Sequence, residues 1–215
     1  EFDRAVKEIE LLLSSRQLFL RTIMHELKTP IAKGRIVTEL IDDTKQKNRL
    51  VNIFEKMDFL INDFAKVEQV ISDNYVLNQH SYSLKEIINN AIKSLLLDDI
   101  SDKIDLGRLS NTKLHVDLEL LSMAIKNLID NGLKYSIDAK ISIQERNNQL
   151  LFISNGKMLE KPLETYFKPF HNDTISKSHG MGLGLYIVKS ILDIHKMDFE
   201  YEHKNGTNIF KITYN

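Results

Sequence analysis

His25 lies in the run Phe19-Leu20-Arg21-Thr22-Ile23-Met24-His25-Glu26-Leu27-Lys28-Thr29-Pro30. Apolar residues at 19, 20, 23, 27 and 31 recur at helical spacing, so one stripe is set for burial. His25 and Glu26 fall off that stripe, side by side, on a face left to water. A surface imidazole beside a carboxylate can be held in one tautomer while its other nitrogen stays free to attack. Taken alone, the pair also fits a solvated histidine on an amphipathic helix. A second constellation is Asn127-Leu128-Ile129-Asp130-Asn131-Gly132-Leu133-Lys134-Tyr135. Asn127, Asn131 and Lys134 share one helical face. Asparagine is a mediocre helix former, so two on one face need a reason. Amide oxygens can ligate Mg²⁺, a hard cation that shares phosphate oxygens, and a nearby lysine can neutralise phosphate charge. The third is Gly180-Met181-Gly182-Leu183-Gly184-Leu185-Tyr186-Ile187-Val188-Lys189. Glycines at alternate positions let backbone N–H groups approach an anion, and the helix that follows adds its positive end. No strand leads directly into this loop, so it is neither the Walker nor the dinucleotide fingerprint.

The elements that must carry these residues fall into two kinds. From Phe2 to about Ile41 the pattern is helical, with Val6, Ile9, Leu12 and Leu13 at coiled-coil spacing. Asp42–Asn48 reads as a polar helix–helix connection, and Leu50 to Ile71 as a second amphipathic helix. Two such helices cannot bury both stripes alone, which predicts pairing with another copy into a four-helix bundle. The composition changes near Ser72-Asp73-Asn74, after which strands alternate with helices. Tyr75-Val76-Leu77 is a candidate strand. Ser83 caps a helix to Leu97, with Glu86 completing a capping box. A strand at Lys113–Val116 leads to Asp117 and a helix from Leu118 to Tyr135. Strands at Lys140–Glu145 and Leu150–Ser154 form a hairpin, and a polar loop at Ser176–Gly184 precedes a helix to about His195. A closing hairpin at Asp198–His203 and Thr207–Thr213 turns on Lys204-Asn205-Gly206. This second part is α+β with a mostly antiparallel sheet.

Bulk composition narrows the classes further. The chain has 215 residues, 42% hydrophobic and 27% charged, which suits one large or two small folded domains. A formal net charge of -1 gives no electrostatic case for nucleic acid or for direct contact with an anionic membrane. With no cysteine there is no disulfide, thiol catalysis or thiolate metal site. His171, His179 and His195 lack ligand spacing. No apolar run reaches the roughly 18 residues of a membrane span, and the first residue, Glu1, reads as the start of a fragment.

The ordered set His-Glu-Leu-Lys-Thr-Pro, Asn-x-x-x-Asn-x-x-Lys-Tyr and Gly-x-Gly-x-Gly-Leu resembles the sensor histidine kinases of two-component systems. The resemblance covers essentially the whole chain. It implies an N-terminal antiparallel helical hairpin forming a dimeric four-helix bundle, followed by an α/β-sandwich Bergerat-type ATP-binding domain. Residues 1–15 would end a signalling coiled coil or linker helix. Residues 16–73 would be the dimerisation and phosphotransfer domain, and 74–215 the catalytic domain. The resemblance further implies ATP and Mg²⁺ as cofactors and His25 as the acceptor of the γ-phosphoryl group. Glu26 would be its hydrogen-bond partner or base, and Thr29 would orient water in members that dephosphorylate their partner. Pro30 would ease motion near His25. Asn131 would ligate Mg²⁺ with Asn127 in support, and Lys134 and Tyr135 would lie near phosphate and nucleoside. Gly180, Met181, Gly182, Leu183, Gly184 and Leu185 would form the hinge and phosphate cradle of a lid. Phe167 and Phe170, in Phe167-Lys168-Pro169-Phe170, would pack that lid. The implied partners are a second copy and a response-regulator receiver domain docking near Ile31, Ile36 and Val37. The implied setting is the cytoplasmic part of a bacterial inner-membrane protein.

One segment departs from the family pattern. Where an Asp-x-Gly-x-Gly box would stand, with its Asp accepting from the adenine amino group, this chain has Ile153-Ser154-Asn155-Gly156-Lys157-Met158. Asn155, followed by Gly156, is the first choice of adenine partner, and Ser154 is the other alignment. A neutral acceptor should weaken nucleotide binding by about 1 kcal/mol. The Asn and glycine boxes also suit a Bergerat-fold ATPase or protein serine kinase, and the altered segment suits a non-catalytic scaffold.

Overall fold

The computed structural model describes residues 2–71, 76–95, 102–169 and 182–214. The chain divides into two compact units, Glu1–Tyr75 and Val76–Asn215.

The first unit is a helical hairpin of α1 (Phe2–Thr38) and α2 (Thr44–Ile71). α1 continues through Pro30, whose missing N–H removes the bond to the Glu26 carbonyl one turn earlier. The helix ends at Thr38 rather than Ile41, because Glu39, Leu40 and Ile41 N–H groups take tighter bonds three residues back. The connection is also shorter than 42–48. Asp43 Oδ1 accepts from the N–H groups of Lys45 and Gln46 at 2.9 and 3.0 Å, so α2 starts at Thr44. The seam between the helices differs from the stripe read from the sequence. Met24, Ile31 and Thr38, seven residues apart, are the buried ones. Gly34 lets α2 come close, since a Cβ there would lie 2.4 Å from Phe54 Cζ. Phe19, Ile23 and Leu27, expected at the core, stay exposed, as do Ile36, Val37, Leu40, Ile53 and Met57, at between 37% and 80%. Ile31, placed by the sequence both on the stripe set for burial and near a docking surface, is buried. One hairpin thus covers one side of α1 and leaves a second apolar row open.

The second unit is a five-stranded sheet in the order β2 (Ile104–Leu106), β4 (Ile141–Arg146), β5 (Gln149–Asn155), β7 (Thr207–Thr213), β6 (Asp198–Lys204). β2 and β4 run parallel and every other pair antiparallel. A separate ribbon pairs β1 (Gln79–Ser83) with β3 (Lys113–Asp117). Helices α3 (Leu84–Lys93), α4 (Leu118–Tyr135) and α5 (Gly184–Ile194) form the second layer, with a short 3-10 helix at Leu163–Phe167. Alternation along β5 sends Leu150, Phe152 and Ser154 into the buried layer and Gln149, Leu151, Ile153 and Asn155 to the other face. The core is built from Ile143, Phe152, Leu120, Ile125, Leu128, Ile129, Ile191 and Leu192.

Local chemistry explains most boundaries. Ser83 and Glu86 form the capping box at α3, and the Ser83 hydroxyl and N–H hold the Glu86 carboxyl below its usual pKa. α3 ends at Lys93, short of Leu97, which lies outside the described residues along with Tyr75 and the break at Ser72–Asn74. Val76 and Leu77 are not a strand. The ladder begins at Gln79, because the Asn78 N–H is taken by Asp117 Oδ2 at 3.1 Å. Asn147 and Asn148 have φ of 49° and 59°, and Asn205 and Gly206 have 52° and 76°, so both hairpins close on primed turns. Among the described residues no helix is long and apolar enough to cross a membrane.

α4 rests on the sheet through Gly132, where a Cβ would lie 2.3 Å from Ile141 Cδ1 and 3.0 Å from its Cγ1. Gly132→Ala is therefore expected to destabilise the protein by about 1–3 kcal/mol in urea unfolding. Ile141→Val removes the nearest atom, so the double variant should recover part of that loss; strict additivity would contradict the packing described.

Candidate active site

His25, Glu26 and Thr29 are all exposed on α1, and the described residues give none of them a side-chain hydrogen bond. The imidazole is open to solvent, as a nucleophile requires, but Glu26 does not grip it here. Pro30, within the next turn, leaves the Glu26 carbonyl without its helical donor.

In the second unit, α4 and α5 bring together two of the three boxes. A Cβ on Gly184 would sit 3.3 Å from Asn131 Nδ2, 3.5 Å from Asn131 Oδ1 and 3.6 Å from Asn127 Oδ1. The first residue of α5 is thus seated against both carboxamides. Asn127 Nδ2 donates to the Met123 carbonyl at 2.9 Å, which turns its Oδ1 toward Gly184. Asn131 spends no amide group on the described residues. α5 begins without a side-chain cap at Leu183, so its positive end faces these oxygens and whatever anion they share. Gly182 has φ of 68°, a conformation that suits glycine and turns the chain into the helix. Leu183 is buried as an anchor, and Leu185 is half-buried. Gly180, Met181 and Phe170 lie outside the described residues, as do His171 and His179.

Other site residues surround this centre unevenly. Lys134 Nζ lies 5.1 Å from the ring centre of Tyr135, at the C-terminal end of α4. Phe167 packs 6.0 Å from Phe199, in a row that continues through Phe210 to Tyr201, and Lys189 Nζ lies 5.8 Å from its ring. Asn155 lies on the face of the sheet away from the helices. Its Nδ2 donates to Asp138 Oδ2 at 3.2 Å and its Oδ1 accepts from Thr207 Oγ1 at 3.4 Å. Ser154 and Gly156 lie instead toward α4; a Cβ on Gly156 would be 3.0 Å from the Tyr135 carbonyl. A depression of about 410 Å³ bordered by Asp102, Lys103, Asp105, Asp138, Ser154 and Asn155 lies apart from the Gly184 contact, since neither Asn127, Asn131 nor Gly184 lines it. Among the described residues no cluster of His, Cys, Asp and Glu could hold a metal. The groups here whose chemistry fits a hard cation are the amide oxygens of Asn127 and Asn131.

Two residues that position the site were not evident from spacing. Asp117 caps α4, accepting from the N–H groups of Glu119 and Leu120 at 3.1 Å each. Its own N–H donates to His195 Nε2 at 3.1 Å, while His195 Nδ1 meets the Ile191 carbonyl at 2.8 Å. The ring is therefore neutral, protonated on Nδ1, and ties the end of α5 to the start of α4. Asn208, an amide inside a strand, was the other missed residue; a poor strand former on the inward register is its only sequence signal.

The comparisons agree with this geometry. Residues 116–214 match the family described as histidine kinase-, DNA gyrase B-, and HSP90-like ATPase. Sensor histidine kinase ArsS of Helicobacter pylori is 36% identical over 213 residues, 99% of this chain and 50% of its own length. Sensor histidine protein kinase HK06 of Streptococcus pneumoniae is 26% identical, over 94% of this chain and 49% of its own. The solved histidine kinase AdeS of Acinetobacter baumannii superposes with a TM-score of 0.61 at 25% identity, covering 87% of this chain and 95% of that one. Residues 116–214 carry the ATPase domain of that family, and nearly the whole chain is similar to sensor histidine kinases. It spans about half the length of the curated relatives it matches.

Burial pushes the His195 pKa below the usual imidazole value, more than its Ile191 bond and the nearby Asp117 charge raise it. The unfolded chain then takes up the proton first. Stability should be level above about pH 7 and fall as pH drops through about 6.5 toward the lower folded value. Denaturant midpoints between pH 7.5 and 5 test this, and His195→Gln should make the decline shallower. An equal slope in both proteins would remove His195 as the source.

Proposed function

We propose that this chain is the kinase portion of a sensor histidine kinase that works as a homodimer. It transfers the γ-phosphoryl group of ATP to His25 and then to an Asp of a response-regulator receiver domain. The observation that carries this reading is the seating of Gly184 against Asn127 and Asn131, in a chain that also presents His25 to solvent. Asn131 would ligate Mg²⁺ through its amide oxygen with Asn127 in support, and the α5 N-terminus with Gly182 and Gly184 would receive the phosphates. When bound, Mg²⁺ neutralises charge on the phosphate oxygens. Lys134 adds a further positive charge at that end, and Tyr135 lies beside the nucleoside. Phe167, packed on Phe199, is the described residue of those the resemblance assigns to packing a lid.

In the transfer, a ring nitrogen of His25 attacks the γ-phosphorus and a nitrogen–phosphorus bond forms. The bond from that phosphorus to the bridging oxygen breaks, and ADP leaves. The imidazole proton passes to solvent or to Glu26, close by on the same exposed face. Catalysis is chiefly positioning and charge neutralisation. Thr29, one turn beyond His25, orients water for hydrolysis of the regulator's phosphoaspartate. The base is met at Ser154, because its side chain shares the helix-covered face with Gly156, while Asn155 is engaged on the opposite face. The exposed row of Phe19, Ile23, Leu27, Ile36 and Val37 supports a second copy completing a four-helix bundle. The relatives are named sensor histidine kinases and are about twice as long as this chain, which supports a setting within a longer sensor protein.

Incubation with γ-labelled ATP and Mg²⁺ should give acid-labile, alkali-stable label on the wild-type protein and none on His25→Gln. Asn131→Ala should lower the labelling rate by at least about tenfold. Label surviving His25→Gln, or acid-stable label, would move the chain to the ATPase or serine-kinase alternative. Sedimentation should show a dimer, and Ile23→Asp with Leu27→Asp should shift it to monomer while the sheet unit stays folded.

A further inference from the structure

Ser154 carries a polar atom that the fold does not explain. The residue is 8% exposed, its side chain turns to the helix-covered face of the sheet, and its hydroxyl has no hydrogen-bond partner among the described residues. A buried hydroxyl left unpaired is unfavourable, so it points to a partner from outside the chain. Its cross-strand neighbour is Asn208, also 8% exposed. Asn208 Oδ1 accepts from the Tyr201 hydroxyl at 2.7 Å and meets His203 Nδ1 at 2.8 Å. Its Nδ2 donates to the Lys157 carbonyl at 3.1 Å, which leaves one N–H over. Gly156 closes the corner: a Cβ there would lie 2.9 Å from Asn208 Nδ2 and 3.0 Å from the Tyr135 carbonyl. Asn127, Asn131 and Tyr135 follow one another at about one turn each along α4, so this corner begins about 6 Å beyond the Asn131–Gly184 contact. A nucleoside triphosphate lying along α4, phosphates at Gly184, brings the edge of its base here.

We infer that Ser154 reads the six-position of the purine, and that the site accepts 6-oxopurine nucleoside triphosphates as well as 6-aminopurine ones. The inference rests on the nucleotide site proposed above. A carboxylate in this corner could only accept; it would bind a 6-amino group and repel a 6-oxo group. A hydroxyl is one donor and two acceptors on a free rotor, so it turns its hydrogen to an oxo or a lone pair to an amino. The spare N–H of Asn208 adds a second donor for the oxo form.

ATP and ITP differ in this base edge and share ribose and phosphates, so they are the probes. Calorimetry with Mg²⁺ on the whole 215-residue chain should give ITP a Kd within about tenfold of that for ATP. Ser154→Asp should widen the preference for ATP by at least another tenfold. Ser154→Ala, which adds neither bulk nor charge, should weaken both nucleotides several-fold and alike. A wild-type preference for ATP above tenfold overturns the inference and leaves the nucleotide site standing. Unchanged affinities in Ser154→Ala, or an unchanged ratio in Ser154→Asp, also overturn it. If neither nucleotide binds, the nucleotide reading itself falls, and this one with it.

Discussion

The catalytic unit depends on the absence of a side chain at one place. Gly184 opens α5 within 3.3–3.6 Å of the amides of Asn131 and Asn127, measured from where a Cβ would stand. A Cβ there would already oblige the Asn131 carboxamide to give by a few tenths of an ångström, so the glycine keeps the start of α5 close to the amides. The rest of the unit holds these two helices so that the approach can occur. α4 is fixed at its start by the Asp117 cap and near its end by Gly132 against Ile141. α5 is fixed at its far end by His195, which accepts from the backbone of Asp117. One residue pair therefore locks the closed end of the two helices, and Gly184 brings them together at the open end. A site between helix ends needs both constraints, since a hinge with one of them would place charge without holding it.

The two units are stabilised differently. In the sheet unit the apolar faces meet: α4 and α5 cover Ile143, Phe152 and Ile212, and these are nearly all out of water. In the helical unit Met24, Ile31 and Thr38 make one seam against α2, and a second row of large apolar side chains stays open. Surface ion pairs such as Arg35–Glu55, at 3.1 Å, are worth well under about 1 kcal/mol and cannot substitute for that missing burial. A second copy laid on that row, as proposed above, would supply the burial that one hairpin lacks.

Much of this was legible in the sequence wherever a local rule decided it. The apolar face that follows Asp117 set α4 at Leu118–Tyr135, and the Ser83–Glu86 box set the start of α3. Asn-Asn and Asn-Gly placed the two hairpins. What was lost depended on partners distant in the chain. β1 is Gln-His-Ser-Tyr-Ser, with no apolar alternation, and is a strand only because β3 pairs with it. β2 is three residues long, too short for a period to show. The α1 stripe was read as one row, but heptad spacing places Met24 and Ile31 on α2 and leaves Ile23 and Leu27 on the other side. Spacing could bring Asn127, Asn131 and Gly184 into consideration; only the packing of α4 on α5 could bring them together.

The choice between Ser154 and Asn155 shows how sharply register limits a motif. The two are adjacent and both are polar, and as letters either could stand for an acidic residue. A strand alternates, so the pairing of Ser154 with Asn208 commits one side chain to the helical layer and the other to the far face. Once that pairing is set, Asn155 becomes a structural tie between Asp138 and Thr207, and the polar atom left facing α4 belongs to Ser154. The corner it occupies is floored by Gly156 because Asn208 and the Tyr135 carbonyl leave no room for a Cβ. The same amide, Asn208, is held by Tyr201 and His203 and in turn holds Lys157. The character of this end of α4 is thus set by hydroxyl, amide and imidazole groups tied to one another, in contrast to the start of α5, where the helix dipole supplies the field.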